Sequence, residues 1–122
     1  MKIHHIALRT TPEKYPEAER FYCDLLGCKK LRDWPGGHML DTGNAIIEIL
    51  EGETVNEPNG AWMHLAFATD DPDAVIEKVR AAGYEIKNEP FDVTIRSNPP
   101  FPVRIAFCTG PMGEIVEFFA TK

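Results

Sequence analysis

Two histidines and two glutamates are the residues of this sequence best suited to metal chemistry. His5 and Glu48 lie in the first half of the chain, and His64 and Glu117 lie in the second half. Two imidazoles and two carboxylates form a ligand set that suits a borderline or hard divalent ion, such as Zn, Ni, Co, Mn or Fe(II). The sequence therefore predicts a metal site made of these four side chains, provided that the fold brings them together.

The two histidines open the two copies of an internal repeat. Residues 3–8 read Ile-His-His-Ile-Ala-Leu, and residues 62–67 read Trp-Met-His-Leu-Ala-Phe. Aligning His5 with His64 also aligns the three apolar residues that follow each of them. A helix signal follows each copy, so each copy is expected to open a structural module.

The two glutamates close the same repeat. Residues 45–50 read Ala-Ile-Ile-Glu-Ile-Leu, and residues 114–119 read Glu-Ile-Val-Glu-Phe-Phe. Aligning Glu48 with Glu117 pairs the apolar residues on both sides of them. Each module therefore begins with a strand that carries a histidine and ends with a strand that carries a glutamate.

Strand parity predicts that the four residues lie on the face of each sheet that its helix does not cover. Successive strand side chains point to opposite faces. Ile6 and Leu8 must meet the amphipathic helix, which leaves His5 on the opposite face. Glu48 likewise points away from its two isoleucine neighbours, and the second module repeats both patterns. A buried carboxylate is costly unless it is paired or bound to a metal.

The order of the expected elements makes the fold α+β, with two tandem βαβββ modules. In the first module we expect a strand at 2–9, a helix at 12–26 and strands at 28–34, 38–42 and 44–51. In the second we expect a strand at 61–69, a helix at 72–82 and strands near 84–88, 91–97, 102–108 and 114–120. The modules, about 1–52 and 61–122, form a single domain over 1–122 and are joined by the turn-rich residues 51–60. The proline-rich residues 98–102 predict a loop, because proline cannot donate to a β-ladder.

Capping residues define the expected helix ends. Thr11 and Asp71 each offer an N-cap side chain, and each is followed by a proline at the first helical position. Pro16 could delay the start of the first helix to that point. Gly27 and Gly83 mark the carboxyl ends of the two helices.

Composition argues against several classes of partner. The chain has 122 residues and a net charge of −6, and no basic face of the kind used to bind nucleic acid is visible. No run approaches the roughly 20 apolar residues of a membrane-spanning helix, and the first residues lack the apolar core of a secretory signal. We therefore expect a cytoplasmic protein whose partner is a small molecule, with no nucleic acid and no membrane.

Several other reactive or charged side chains have a packing interpretation beside a functional one. The free thiols Cys23 and Cys28 are expected to fill the core, and an odd count of three cysteines argues against a disulfide framework. His4 is expected on the helix side, and His38 beside a glycine turn, both as packing or surface residues. Three arginines could hold an anionic substrate or could be solvated strand residues: Arg9, Arg96 and Arg104. Two aromatic residues could line a cavity or belong to the core: Trp62 and Phe107.

Together these segments resemble the vicinal oxygen chelate superfamily, which includes glyoxalase I, methylmalonyl-CoA epimerase, fosfomycin-resistance thiol transferases and extradiol dioxygenases. The resemblance covers nearly the whole chain. The stretches that carry it are His5-Ile-Ala-Leu, Phe21-Tyr-Cys-Asp-Leu-Leu-Gly27, Ile47-Glu-Ile-Leu, His64-Leu-Ala-Phe-Ala-Thr-Asp-Asp-Pro72 and Pro111-Met-Gly-Glu-Ile-Val-Glu117. One departure is the turn that begins at Gly110, where many relatives carry Asp-Pro-x-Gly.

The resemblance implies a metal-containing cavity around which the paired sheets curl, often completed in a homodimer. His5, Glu48, His64 and Glu117 fall at the family's four ligand positions, and whether one chain or two complete a site stays open. The dioxygenases and fosfomycin-type transferases typically use two histidines and one glutamate. Two histidines with two glutamates are similar to glyoxalase I, with the epimerase close to it.

The resemblance to glyoxalase I implies a lyase or isomerase that removes a proton next to a metal-polarised carbonyl. Glu117 is then the expected base, and Glu48 its partner on the opposite side. Two alternatives are metal-dependent transfer of a thiol to an epoxide and metal-free binding of a small molecule. The sequence identifies neither the metal nor the substrate, because pocket loops set specificity on a shared fold.

Overall fold

The protein forms two four-stranded mixed sheets. Along the chain, a helical segment follows the first strand of each sheet and precedes the second. The structure is a computed structural model and describes residues 4–52 and 64–122. The order β-α-β-β-β occurs twice, and the fold is α+β, as the sequence predicts.

The first unit contains four strands and one helical segment. They are β1 (Ile6–Thr10), α1 (Tyr15–Glu19) with a π-helical continuation (Arg20–Leu25), β2 (Lys29–Trp34), β3 (Gly37–Asp41) and β4 (Ile46–Glu51). The strand order is β1-β4-β3-β2, with β1 parallel to β4 and the other pairs antiparallel. The strand that follows His5 therefore lies directly beside the strand that carries Glu48.

The second unit repeats this arrangement. Its elements are β5 (Leu65–Ala68), α2 (Pro72–Ala81), β6 (Ile86–Ile95), β7 (Phe101–Thr109) and β8 (Ile115–Thr121). The strand order is β5-β8-β7-β6, with β5 parallel to β8. The strand that follows His64 thus lies beside the strand that carries Glu117.

The helix-facing side of each closing strand is the buried side. Ile47 and Ile49 of β4 are buried, as are Val116 and Phe118 of β8. Helix α1 contacts β4, and α2 contacts β6, β7 and β8. Burying one such side chain stabilises the fold by about 1.5–3 kcal/mol, which fixes the register of the strand and turns the glutamate between these residues to the opposite face.

The second helix begins and ends where its capping residues predict, whereas the first does not begin at Thr11. The Asp71 carboxylate accepts a hydrogen bond from the amide of Ala74 at 3.0 Å, as an N-cap should. The first helix begins at Tyr15, with Pro16 in its first turn. The backbone carbonyl of Thr11 instead closes a turn that precedes the helix.

Glycines end both helical segments. Gly27 has a φ of +80° and Gly83 a φ of +89°, a left-handed conformation that L-residues with side chains rarely adopt. Both predicted helix ends are therefore confirmed.

Two strands expected after the second helix are a single strand. The expectation of strands near 84–88 and 91–97 is wrong, because β6 runs through both. Its pairing with β7 is irregular on both sides of Asn88. Pro90 lies within this irregular stretch of an edge strand, where a missing N–H leaves fewer ladder bonds broken than in a central strand.

The loop expected at 98–102 lies two residues earlier, at 96–100, because β6 ends at Ile95. β7 begins at Phe101 and includes Pro102, which lies opposite Thr94 of β6. Pro102 is tolerated because it is the second residue of the strand, where one ladder bond is lost near the strand end.

The chain divides into two compact units, Met1–Pro58 and Asn59–Lys122. The boundary falls in the predicted connector 51–60, of which residues 53–60 lie outside the described residues. That both modules form one domain stays a prediction. In the part of the chain that the structure describes, no helix is long and apolar enough to cross a membrane.

Candidate metal centre

The first sheet brings His5 and Glu48 together. Parallel pairing of β1 with β4 sets Ala7 opposite Glu48, and His5 precedes Ala7 by two residues on the same face. His5 Nε2 lies 3.7 Å from Glu48 Oε1, with the histidine side chain 37% exposed and the glutamate 14% exposed. Met39 is the antiparallel partner of Glu48 on this face, a neighbour that the sequence did not point out.

The second sheet brings His64 and Glu117 together more closely. Ala66 is the parallel partner of Glu117, and His64 Nε2 donates a hydrogen bond to Glu117 Oε2 at 2.9 Å. The carboxylate is only 9% exposed, whereas the imidazole is 35% exposed. Phe107 is the antiparallel partner of Glu117, and its ring lies 5.7 Å from that of His64. Phe107 therefore contacts the imidazole of this pair, and that it lines a cavity stays a prediction.

Burial changes the acidity of Glu117. Loss of solvent around the carboxyl group raises its pKa above the ordinary value, while the neighbouring His64 acts in the opposite direction. A carboxylate that is largely removed from water gains more free energy from binding a cation or a proton than one in water.

Each pair has a spacing close to that of two ligands of one ion. Bonds of about 2.1 Å to nitrogen and oxygen place neighbouring ligand atoms roughly 3.0–3.4 Å apart, and the two observed distances of 2.9 Å and 3.7 Å lie on either side of this interval. Within either unit, no third His, Cys, Asp or Glu among the described residues joins a pair to make a larger ligand group. One unit thus offers two ligands, half of the predicted set.

The remaining ring nitrogen of His5 contacts its neighbour. Nδ1 of His5 lies 2.9 Å from Nδ1 of His4, and the two rings are nearly perpendicular. His4 is exposed, and its ring contacts the ring of His5. The surface interpretation of His4 is therefore confirmed, and its expected position on the helix side stays a prediction.

The face of the second sheet that carries Glu117 is apolar. Strand register places Val103, Ile105 and Phe107 of β7 on this face, together with alternate residues of β6 and β8. Four of its large apolar side chains are 37–42% exposed: Phe91, Val93, Ile95 and Phe101. This set with Ile105, Phe107 and Phe119 is called the apolar face below. Contiguous exposed apolar surface of this kind is common at binding sites.

One predicted anion-binding arginine is committed elsewhere. Arg104 forms ion pairs with Asp73 of α2 at 2.5 Å and with Asp92 of β6 at 3.1 Å. Its ion pairs therefore connect the helix to the sheet, and its guanidinium group is not available to a substrate. For Arg9 and Arg96 a role in anion binding stays a prediction, and Trp62 lies outside the described residues.

His38 is a core residue. Its side chain is fully buried, its ring lies 4.5 Å from that of Tyr15, and neither ring nitrogen has a hydrogen-bond partner among the described residues. Burial lowers the pKa of His38, and Glu19, whose carboxylate oxygen is 3.9 Å away, opposes that change. His38 alternates with the buried Leu40 along β3, and this pattern could have been read from the sequence.

The cysteines fill space and are free. Burial raises the pKa of Cys28 to about 11 and that of Cys108 to about 12. Both thiols therefore stay protonated near neutral pH and are poor nucleophiles and ligands. Cys23 is half-buried, and its pKa is raised chiefly for the same reason.

In the turn before β8, Glu114 supplies a carboxylate where many relatives have an aspartate at the start of the turn. Both carboxylate oxygens of Glu114 accept hydrogen bonds from the amide of Met112, at 3.4 Å and 3.2 Å. A Cβ atom on Gly110 would meet Glu114 Oε1 at 1.6 Å. Glycine at position 110 thus makes room for a glutamate that occupies the space beside the turn.

Comparison with known proteins identifies the family. The sequence matches the family model of the Glyoxalase/Bleomycin resistance protein/Dioxygenase superfamily over residues 2–118, and the chain therefore belongs to this superfamily. A comparison with curated proteins gives no significant match.

Solved structures share the fold. The chain is similar to the fosfomycin resistance protein FosX from Listeria monocytogenes, with a TM-score of 0.76 and 17% identity over 100% of this chain and 94% of that one. It is similar to a putative glyoxalase family protein from Bacillus anthracis, with a TM-score of 0.72 and 22% identity over 100% and 96%. It is also similar to lactoylglutathione lyase from Agrobacterium tumefaciens, with a TM-score of 0.67 and 18% identity over 98% and 92%. At these identities the likeness shows the fold alone.

Proposed function

We propose that the protein is a metal-dependent lyase or isomerase that moves a proton next to the carbonyl group of a small oxygenated substrate. His5, Glu48, His64 and Glu117 are its metal ligands, and the metal is one divalent ion per site. The observation that carries the proposal is the pair of His64 and the desolvated Glu117, 2.9 Å apart, repeated at the equivalent position as His5 and Glu48.

The chemistry follows from the positions of the side chains. A divalent ion at these ligands would supply Lewis-acid polarisation of a substrate carbonyl, which acidifies the adjacent C–H. Glu117 is the proposed base, because a carboxylate whose pKa is raised by burial is better matched to proton transfer at neutral pH. An Oε atom of Glu117 takes the proton, and the same carboxyl group can return it to a neighbouring carbon of the substrate.

Glu48 is the proposed partner of Glu117. It is less buried and lies farther from its histidine, so it can rotate away from His5 without breaking a short hydrogen bond. This mobility suits a carboxylate that accepts or returns a proton on the opposite side of the substrate. The second glutamate is also what separates this ligand set from the two-histidine, one-glutamate set expected for thiol transfer.

The solved structures of this fold include a protein of the proposed reaction class, but their likeness to this chain does not assign the reaction. One solved structure of this fold is a lactoylglutathione lyase and another is a fosfomycin resistance protein. A small-molecule substrate, a cytoplasmic location and assembly as a homodimer are parts of the same proposal.

A second candidate function is the binding of an apolar small molecule without chemistry. The observation in its favour is the apolar face, whose four most exposed residues lie on β6 and at the start of β7. A binding protein would use this surface and would not need a metal. Buried Glu117 is the argument against it, because an apolar ligand would cover that carboxylate without offering it a cation or a further hydrogen-bond donor.

The direct test is solvent hydrogen exchange at the carbon next to the carbonyl. Protein reconstituted with Zn, Ni, Co or Mn is incubated in D2O with hemithioacetals and with acyl-CoA thioesters, and deuterium incorporation is followed by NMR. Catalysed exchange that requires metal supports the proposal. Stoichiometric metal binding with thiol addition to an epoxide, but no exchange, would replace it with thiol transfer, and tight apolar-ligand binding without metal would replace it with the second candidate.

A further inference from the structure

The two ring nitrogens of His5 face different groups. Nε2 is directed to the Glu48 carboxylate at 3.7 Å, and Nδ1 lies 2.9 Å from Nδ1 of His4. The two rings meet edge to face, with centroids 5.2 Å apart and an interplanar angle of 88°. The edge of His5 that faces away from Glu48 is thus occupied by the imidazole of His4.

This contact contains one proton, and its position decides what Nε2 of His5 can do. If His5 donates from Nδ1, its Nε2 presents a lone pair on the side of Glu48. If His4 donates instead, the proton of neutral His5 sits on Nε2, which then cannot bind a cation. A histidine that ligates through Nε2 therefore needs an acceptor for its Nδ1–H, and neutral His4 can be that acceptor.

We propose that His4 is a positioning residue that accepts the Nδ1–H of His5 and so holds His5 in the tautomer that ligates through Nε2. This inference rests on the proposed function, since it assumes that His5 is a ligand. Position 4 is not one of the four ligand positions of the family.

The first module has a particular need for such a neighbour. His64 is held by its 2.9 Å hydrogen bond to Glu117, whereas the 3.7 Å separation of His5 from Glu48 is too long for one. The repeat places a methionine, Met63, where the first module has His4, and a thioether cannot take this proton as an imidazole does. His4 thus supplies to His5 a contact at Nδ1, whereas His64 contacts its carboxylate through Nε2.

A pair of variants of similar shape separates hydrogen bonding from packing. His4→Asn keeps an acceptor oxygen near the position of Nδ1, and His4→Leu has nearly the same shape without an acceptor. His4 is exposed, so both variants should fold, as thermal unfolding will check. Zinc affinity is measured by competition with a chromophoric chelator. We expect His4→Leu to bind zinc about 10–100-fold more weakly than the parent, the usual effect of losing such a partner, and His4→Asn to recover most of that loss.

Ring nitrogen NMR gives a second readout that does not depend on activity. Long-range 1H–15N spectra report which nitrogen of His5 carries the proton, with His64 as an internal reference. The proton of His5 should be on Nδ1 in the parent and in His4→Asn, and should shift toward Nε2 in His4→Leu, while His64 does not change.

Equal zinc affinity in the parent and His4→Leu, or an equal loss in both variants, would overturn the role of His4. A parent that binds no zinc would refute the proposed function instead. In that case the His5 spectra still decide the inference, because an unchanged tautomer in His4→Leu contradicts it without any metal.

Discussion

Nε2 of His64 lies 2.9 Å from Oε2 of Glu117, and this carboxylate is 9% exposed on an otherwise apolar sheet face. The equivalent atoms of His5 and Glu48 are 3.7 Å apart, and the Glu48 side chain is 14% exposed. The same repeat therefore yields one pair that is already organised and one that can adjust. We expect the two pairs to differ in role, with the buried pair fixing the ion and the base, and the open pair adapting to the substrate.

Replacing Glu117 by glutamine should remove proton transfer while leaving a ligand oxygen. Loss of the base should slow metal-dependent exchange at the substrate carbon by about 100-fold or more, the usual contribution of a positioned general base. Glu48→Gln should have a smaller effect. Exchange is followed by NMR in D2O, and bound metal is quantified in the same samples. Two glutamine variants that retain metal and match the parent rate would exclude both carboxylates as the base.

Buried His38 should make the stability of the protein depend on pH. Its pKa is lowered in the folded state, first by burial and also by Lys30, while Glu19 and Asp33 act in the opposite direction. The unfolded chain has the ordinary value of about 6.5, so it binds a proton more readily than the folded chain. The free energy of unfolding should therefore fall as the pH decreases through about 6.5 toward the folded-state pKa.

The measurement is denaturant unfolding between pH 7.5 and pH 5 in the presence of a chelator, which removes any contribution from metal binding. His38→Leu should lose part of this pH dependence because it no longer titrates. A His38→Leu curve parallel to the parent curve would show that another group is responsible.

The turn before β8 should accommodate a carboxylate at position 114 or at position 110, but not at both. Glu114→Ala should destabilise the fold by about 1–2 kcal/mol, because the buried Met112 amide loses a charged acceptor. Gly110→Asp alone should also destabilise, because its Cβ meets Glu114 Oε1. The double variant should recover stability, since an aspartate at position 110 can then accept hydrogen bonds in the turn, as in the relatives with Asp-Pro-x-Gly. Additive losses in chemical denaturation would argue against this exchange of roles.

The protein should be a homodimer at micromolar concentration. Each sheet is open and has two edge strands, β1 and β2 in one and β5 and β6 in the other. Such edges are commonly covered by pairing or by a partner. Sedimentation velocity over a range of concentrations gives the mass, and a stable monomer throughout would contradict the expectation.

Strand parity was enough to find both His–Glu pairs, because alternation along a strand depends only on which residues must be buried. Ile47 and Ile49 fix the face of Glu48 in this way, and the equivalent residues do so for Glu117. The different spacing of the two pairs could not be predicted, since the motifs are nearly identical and only packing separates 2.9 Å from 3.7 Å.

The predictions of secondary structure that were wrong all concern segments that contain a proline. A proline after Thr11 and Pro16 both carry the local signature of a helix start, and only the surrounding structure selects the second. Pro90 lies between the strands expected near 84–88 and 91–97, and in the structure it belongs to an irregular stretch of one edge strand. A proline restricts its own residue and removes one donor, which limits the local structure without deciding how the neighbouring strands pair.

The most direct test of the account is the metal content of the purified protein. The protein is exchanged into a buffer with a single divalent metal, and the excess is removed. Elemental analysis should then give about one ion per chain for the parent and for the control variant His38→Leu, which removes a buried histidine outside the proposed site. His64→Ala should retain almost none, because it removes a ligand and leaves Glu117 without its 2.9 Å partner. Full retention of the ion by folded His64→Ala would contradict the assignment of these residues as ligands.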